Sequence, residues 1–233
     1  MKISLKKGIK HLSHLLKNPM YKIFKRLFDF LASFLAIIFL MPFLIPVMLV
    51  LKFTGEGEIF YFQKRVGKDN KDFFIYKFAT MLKDSEKMGS GIYTAKNDSR
   101  ILPLGNFLRK TKINELPQLF NILFGHISIV GPRPLIRRTF NLYSENDQKF
   151  ISSIKPGLTG IGSIVFRNEE ELLNRASGNL EEYYEKNITP FKAELEKWYV
   201  KNKSFQVDII IIFITAWAIP FKNTMLPWKL FKD

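Results

Sequence analysis

The sequence predicts an α+β protein, mainly helical, in which a proline-broken membrane helix near the N-terminus leads into one compact domain with a β-hairpin and amphipathic surface helices. Three observations carry that prediction. Phe30 to Leu51 holds no charged residue, aromatic-rich runs lie on either side of Lys68-Asp69-Asn70-Lys71, and helix-favouring stretches dominate the remainder. The expected division is a basic amphipathic arm over 1–26, the membrane helix over 27–52 and a soluble domain over 53–233. A chain of 233 residues is long enough for one sizeable core and an appendage, and too short for two large domains.

Charge and composition narrow the partner. A formal charge of +15, from 36 Lys and Arg against 21 Asp and Glu, points to an anion: nucleic acid, an acidic membrane or a phosphorylated substrate. The 47% hydrophobic content and 23 phenylalanines argue against nucleic acid, because a nucleic-acid binder lays its basic surface over an ordinary core. Contact with membrane lipids is favoured instead. With no cysteine, disulfides and thiolate metal sites are excluded.

Along the chain, "MKISLKKGIKHLSHLLKNPMYKIFKR" is basic, free of acids, and carries Ile9, Leu12, Leu15 and Leu16 at helical spacing. Such a segment suits an anionic lipid surface, with a loose solvated arm as the alternative. As a helix, Phe30 to Leu51 would reach about 33 Å, enough to cross the hydrocarbon core. Pro42 and Pro46 each remove a backbone donor from its middle and predict a sharp kink. The segment can span, or enter and leave one leaflet. Basic residues on both flanks, Lys25 and Arg26 before and Lys52, Lys64 and Arg65 after, suit two cytoplasmic ends.

"EIFYFQKRVGKDNKDFFIYKFATM" reads as a hairpin with a polar turn, and Asp84 to Arg100 as an exposed loop. A helix is expected from about Leu104 to Leu123, then a short strand ending in the rigid turn of "ISIVGPRPLIRR". "IKPGLTGIGSI" looks like a loop, Asn168 to Lys201 like an acidic helical region. "VDIIIIFITAWAIPF" is too short to span and breaks at Pro220, which suggests a core or interfacial helix.

Chemistry concentrates in "INELPQLFN", where Asn114 and Glu115 precede Pro117 and Gln118. Asn is a good N-cap and Glu suits a first helical turn, so the stretch could simply begin a helix. Arg109 stands five residues earlier, Arg133 is held between two prolines, and Arg167 lies in "VFRN". Prolines on both sides limit the freedom that an arginine loses on gripping phosphate; taken singly, each arginine is more readily a surface ion-pair partner. No phosphate-binding glycine loop or dinucleotide fingerprint occurs. His11, His14 and His126 are too scattered for a metal site or triad.

In order, "FKRLFDF", the proline-broken apolar helix, "FQKRVGKDNKDFFIYKFATM", "NDSRILPLGNFLRKTKINELPQLFNILFGHISIVGPRPL", "KPGLTGIGSI" and "YVKNKSFQVDI" strongly resemble the bacterial sugar transferase family, the monotopic polyprenyl-phosphate phosphoglycosyl transferases. The resemblance covers nearly the whole chain. It implies transfer of a phosphosugar from a nucleotide diphosphate sugar, usually a UDP-sugar, to polyprenyl phosphate, with release of the nucleoside monophosphate. It further implies a re-entrant helix in the bacterial inner membrane, an active site on the cytoplasmic face, and Mg²⁺ at the Asn114 and Glu115 positions. Arg109, Arg133, Arg167, Lys77 and Gln118 fall at substrate-contacting positions, and Pro42, with Pro46, at the membrane kink. A homo-oligomer is compatible with all of this.

The chain departs from the family pattern in four places. Met41 replaces the serine before the kink proline, Ala79 a basic residue, and His126 an acid. Most consequential is Asn114, which stands where the family has its nucleophilic aspartate. An amide nitrogen is no substitute for a carboxylate nucleophile. Three readings stay open: Glu115 attacks in its place; polyprenyl phosphate attacks directly while Asn114 orients phosphate or metal; or the protein is an inactive membrane-bound scaffold.

Overall fold

The computed structural model describes residues 19–85, 88, 98–167 and 180–218. The amphipathic reading of the arm up to residue 18, most of the 84–100 loop, the start of the acidic region and the Pro220 break lie outside the described residues. The protein is mainly helical, as expected.

α1, Pro19–Phe53, is helical throughout, Pro42 and Pro46 included, and takes in residues 19–26 of the predicted arm. At 1.5 Å per residue it is about 52 Å long. It is long and apolar enough to cross a membrane, and only 17% of its most apolar stretch is buried. A core helix of a water-soluble protein would be mostly covered. Here Phe30, Phe34, Leu35, Ile38, Phe39, Phe43 and Leu49 are exposed, while Ser33, Ile37, Leu44 and Leu51 form a narrow buried stripe at helical spacing.

The chain divides into two compact units, Met1–Asp29 with Arg65–Phe73 and Gly125–Asp233, and Phe30–Lys64 with Phe74–Phe124. α1 and the hairpin each run through both. The hairpin pairs β1, Phe60–Val66, with β2, Asp72–Phe78, across a 3-10 turn at Lys68–Asn70. Asp69 and Asn70 take positive φ there, which short polar residues tolerate.

In the second unit Leu44, Leu51, Phe78 and Leu108 form the core, with Leu104, Ile113 and Leu116 against it. The helix expected over 104–123 is three pieces: α2, Gly105–Lys110; a 3-10 turn, Ile113–Glu115; and α3, Gln118–Phe124. Lys112 breaks it with a φ of 62°, and Pro117 has no N–H to continue a ladder. Asn121, fully buried on α3, accepts from the Tyr76 N–H at 2.9 Å and donates to the Phe74 carbonyl at 2.8 Å. That pair of bonds pins α3 to β2.

In the first unit β3, Ser128–Val130, pairs in parallel with β4, Gly157–Thr159. The "KPGLTG" stretch is therefore not a loop but a strand partner. Between and after them come α4, Arg137–Phe140; α5, Glu145–Ile151; α6, Ile161–Val165; α7, Leu180–Tyr183, continued by a π-turn at Tyr184–Ile188; α8, Thr189–Asn202; and α9, Phe205–Ala218. Val130, Ile161, Tyr199, Ile211 and Ile214 are central to the core. The seam beside the strands has no room for side chains: a Cβ on Gly157 would lie 2.1 Å from the Gly131 nitrogen.

Two acids fix the start of α1 within this unit. Asp29 accepts from Ser128 Oγ at 2.6 Å and from the Ile129 N–H at 3.2 Å. Buried Asp208 of α9 accepts from Tyr21 Oη at 3.0 Å, Tyr199 Oη at 2.7 Å and Lys25 Nζ at 2.6 Å. Burial and the adjacent Asp208 charge push both tyrosine hydroxyls above their usual range.

Candidate active site

In the second unit, the turn between α2 and α3 presents Asn114 and Glu115. Lys112, in the left-handed region, starts the 3-10 turn, and no side chain caps it. Asn114 is consequently not an N-cap. It sits inside the turn, 8% exposed, and its Oδ1 is buried with no hydrogen-bond partner among the described residues. Glu115 is more open: its side chain is 28% exposed, with Lys112 Nζ 3.9 Å from Oε1 and Gln118 Nε2 3.5 Å from Oε2. Both contacts are long, and an exposed pair at 3.9 Å adds little stability. The carboxylate is thus flanked by a cationic and an amide donor.

Gln118, 3% exposed, opens α3 and is held by the same element that Asn121 ties to β2. Lys77, half-buried, follows Tyr76 on that strand. Arg109 occupies the last turn of α2 and donates Nη1–H to Met81 Sδ at 3.5 Å. The structure therefore brings Asn114, Glu115 and Gln118 together, with Arg109 and Lys77 carried on elements of the same unit.

Arg133 and Arg167 belong to the first unit. The Gly131-Pro132-Arg133-Pro134 turn is clamped by Gly131 N–H to Thr159 O at 2.9 Å and Gly157 N–H to Pro132 O at 2.8 Å. The Arg133 N–H donates to Glu196 Oε1 at 3.1 Å, and its exposed guanidinium reaches Ser163 Oγ at 3.4 Å. Arg167 stands half-buried just after α6. Glu196, on α8, is fully buried in this unit, and burial raises its pKa to about 7 against the lowering influence of the Arg133 N–H and Lys192.

A profile of the bacterial sugar transferase family matches residues 20–222. The chain belongs to the bacterial sugar transferase family. Among its relatives are UDP-N-acetylgalactosamine-undecaprenyl-phosphate N-acetylgalactosaminephosphotransferase of Aeromonas hydrophila, 33% identical over 89% of this chain and 46% of the relative; exopolysaccharide production protein ExoY of Sinorhizobium fredii, 32% identical over 86% and 87%; and UDP-glucose:undecaprenyl-phosphate glucose-1-phosphate transferase of Klebsiella pneumoniae, 35% identical over 85% and 40%. The chain thus spans less than half of two of these relatives and nearly the full length of the third.

Three residues that organise the first unit escaped the sequence-based expectation: Asp29, Asp208 and Glu196. Asp29 and Asp208 carried a signal, each being a single acid inside an apolar run, "LFDFL" and "VDIII". Glu196 had none, because its helix is rich in charges.

No group of three or more acidic or histidine side chains suited to a metal occurs among the described residues. The oxygens present are the orphaned Asn114 Oδ1 and the Glu115 carboxylate. A donor set of that kind fits Mg²⁺, which binds through one or two protein oxygens and takes the rest from phosphates and water.

Proposed function

We propose that this chain transfers a sugar phosphate from a nucleotide diphosphate sugar, of the UDP-sugar class, to polyprenyl phosphate, releasing the nucleoside monophosphate and starting a lipid-linked glycan. The observation that carries the chemistry is the contrast between Asn114, buried and amide, and Glu115, a partly exposed carboxylate beside Lys112 and Gln118. Glu115 is the nucleophile. Its oxygen attacks the sugar-bearing phosphorus, and the bond to the bridging oxygen breaks, its electron pair leaving with the nucleoside monophosphate. A polyprenyl phosphate oxygen then attacks the same phosphorus and displaces the carboxylate, giving the polyprenyl diphosphate sugar and free Glu115.

Mg²⁺ would be held by Asn114 Oδ1 and Glu115 and would lower the charge repulsion between phosphates and carboxylate. Arg109 and Lys77, on elements of the same unit as Glu115, bind the phosphates; Arg133 and Arg167 are anion-binding candidates within their own unit. Arg133 comes to that task with little backbone freedom to lose. α1 enters and leaves one leaflet of the bacterial inner membrane, bent at Pro42 and Pro46, so that the domain faces the cytoplasm.

The test is nucleoside monophosphate release from a UDP-sugar panel with polyprenyl phosphate, in wild type and Glu115→Gln. Turnover that survives Glu115→Gln undiminished ends the Glu115 role. The orphaned Asn114 Oδ1 supports a second reading, direct attack by polyprenyl phosphate on a donor oriented by Asn114. Acid quenching with donor alone separates the two, since only the covalent route leaves a phosphosugar on the peptide that contains Glu115.

A further inference from the structure

A cavity of about 250 Å³ lies in the first unit, bounded by the start of α1, the hairpin turn, β3, the segment between α5 and β4, and the end of α8. Among the described residues six cationic side chains line it: Lys22, Lys25, Arg26, Lys68, Lys155 and Lys203. Among the described residues Asp29 is the sole carboxylate of the lining, and both its oxygens already accept from Ser128 and Ile129. Lys25 is matched by Asp208. Lys68 also reaches Asp69, at 3.6 Å in an exposed pair.

Two of these cations converge on one point. Gly125 has a φ of 80°, and a Cβ there would lie 3.1 Å from an Arg26 guanidinium nitrogen and 3.1 Å from Lys155 Nζ. Burial, then the charges of Arg26 and Lys68, push the Lys155 ammonium pKa down, with Asp29 opposing. Burial and Lys22 do the same to Lys203, with Asp208 opposing. Like charges gathered in a partly dry cavity repel, and an anion placed among them reverses the sign.

The position along α1 says which anion. Arg26 precedes Phe30, the first residue of the charge-free stretch, by four residues, and Lys22 by eight. These are rises of about 6 and 12 Å, comparable to the headgroup layer that borders the hydrocarbon core. We propose that this cavity binds the phosphate of an anionic phospholipid headgroup, with Arg26 and Lys155 as direct partners and Lys22, Lys68 and Lys203 supplying the surrounding field. It shares no residue with the Asn114–Glu115 site. The proposal rests on α1 being the membrane helix.

The experiment compares melting temperatures of the full chain in phosphatidylcholine nanodiscs with and without phosphatidylglycerol. Wild type is expected to melt higher with phosphatidylglycerol. Lys155→Gln is expected to melt at or above wild type in phosphatidylcholine alone, because repulsion is relieved, and to lose at least half of the phosphatidylglycerol shift. Lys203→Gln, at another lysine of the lining, repeats the test should Lys155→Gln misfold. Lys149→Gln, an exposed charge elsewhere, is expected to keep the shift. Equal loss in Lys149→Gln would reduce the effect to general surface charge and overturn the site. Inorganic phosphate is titrated in detergent as a second arm: a shift from it that Lys155→Gln erases, with none from phosphatidylglycerol, overturns the headgroup in favour of free phosphate. Failure of the chain to insert into phosphatidylcholine nanodiscs overturns the membrane reading of α1 and the headgroup assignment with it, whatever the catalytic assay gives.

Discussion

At the scale of single residues, Asn114 and Glu115 divide what one aspartate usually does. If Glu115 is the nucleophile, Glu115→Gln lowers turnover by about a thousandfold or more, as removal of covalent nucleophiles does. The double variant Asn114→Asp/Glu115→Gln then decides where attack can start: recovered turnover would place a competent carboxylate at position 114. Glu196 gives a pH prediction. Its folded pKa of about 7 lies above the ordinary 4.5. The folded state therefore keeps a proton that the unfolded chain has lost, so the contribution of Glu196 to stability is full below about pH 4.5 and is lost as pH rises towards 7, roughly 3 kcal/mol in all. Glu196→Gln retains an acceptor for the Arg133 N–H and flattens that decline, which denaturant midpoints between pH 5 and 8 would show. The grouping of Asn114, Glu115 and Gln118 was legible because all three lie in one stretch of five residues, "NELPQ", within a motif of the family. The Arg133–Glu196 contact was not, since 63 residues separate the partners and no local pattern records the pairing.

At the scale of elements, α1 and the hairpin were legible because each is local: an uncharged apolar run in one case, aromatic strands around a polar turn in the other. The break within 104–123 depends on Lys112 adopting a left-handed backbone, which its type does not announce. The strand within "KPGLTG" was hidden for a different reason, as its partner is 29 residues away in register, Ser128 against Gly157. Two predictions belong here. Asp208→Asn leaves Lys25, only 15% exposed, without its counter-charge, and should destabilise the fold by about 3 kcal/mol, read as a lowered melting temperature. The chain has no native cysteine, so single cysteines introduced at Lys22 and Phe53 report the topology of α1. A re-entrant helix leaves both inaccessible to an impermeant thiol reagent outside the cell; labelling of one would mean that it spans.

At the scale of the whole molecule, a +15 charge and a largely uncovered apolar helix act together on the membrane. Their salt responses differ. Co-flotation with neutral vesicles should be insensitive to ionic strength, because apolar insertion is not screened. The added preference for anionic vesicles should shrink between 0.1 M and 1 M salt, as the screening length drops from about 10 Å to 3 Å. α9 carries exposed apolar surface of its own in the first unit, burying Val207, Ile211 and Ile214 while exposing Ile210, Phe213 and Trp217. The glycine seam beside β3 and β4 has a consequence for variation. Where the Gly157 Cα faces backbone atoms of Gly131, the smallest possible addition, one methyl group, already collides. Substitutions there should fail irrespective of polarity or charge, so a complete replacement library would show a position blind to side-chain chemistry. The arginine turn could then be altered at Arg133 itself, whose side chain is exposed, while the frame that presents it admits no alternative residue.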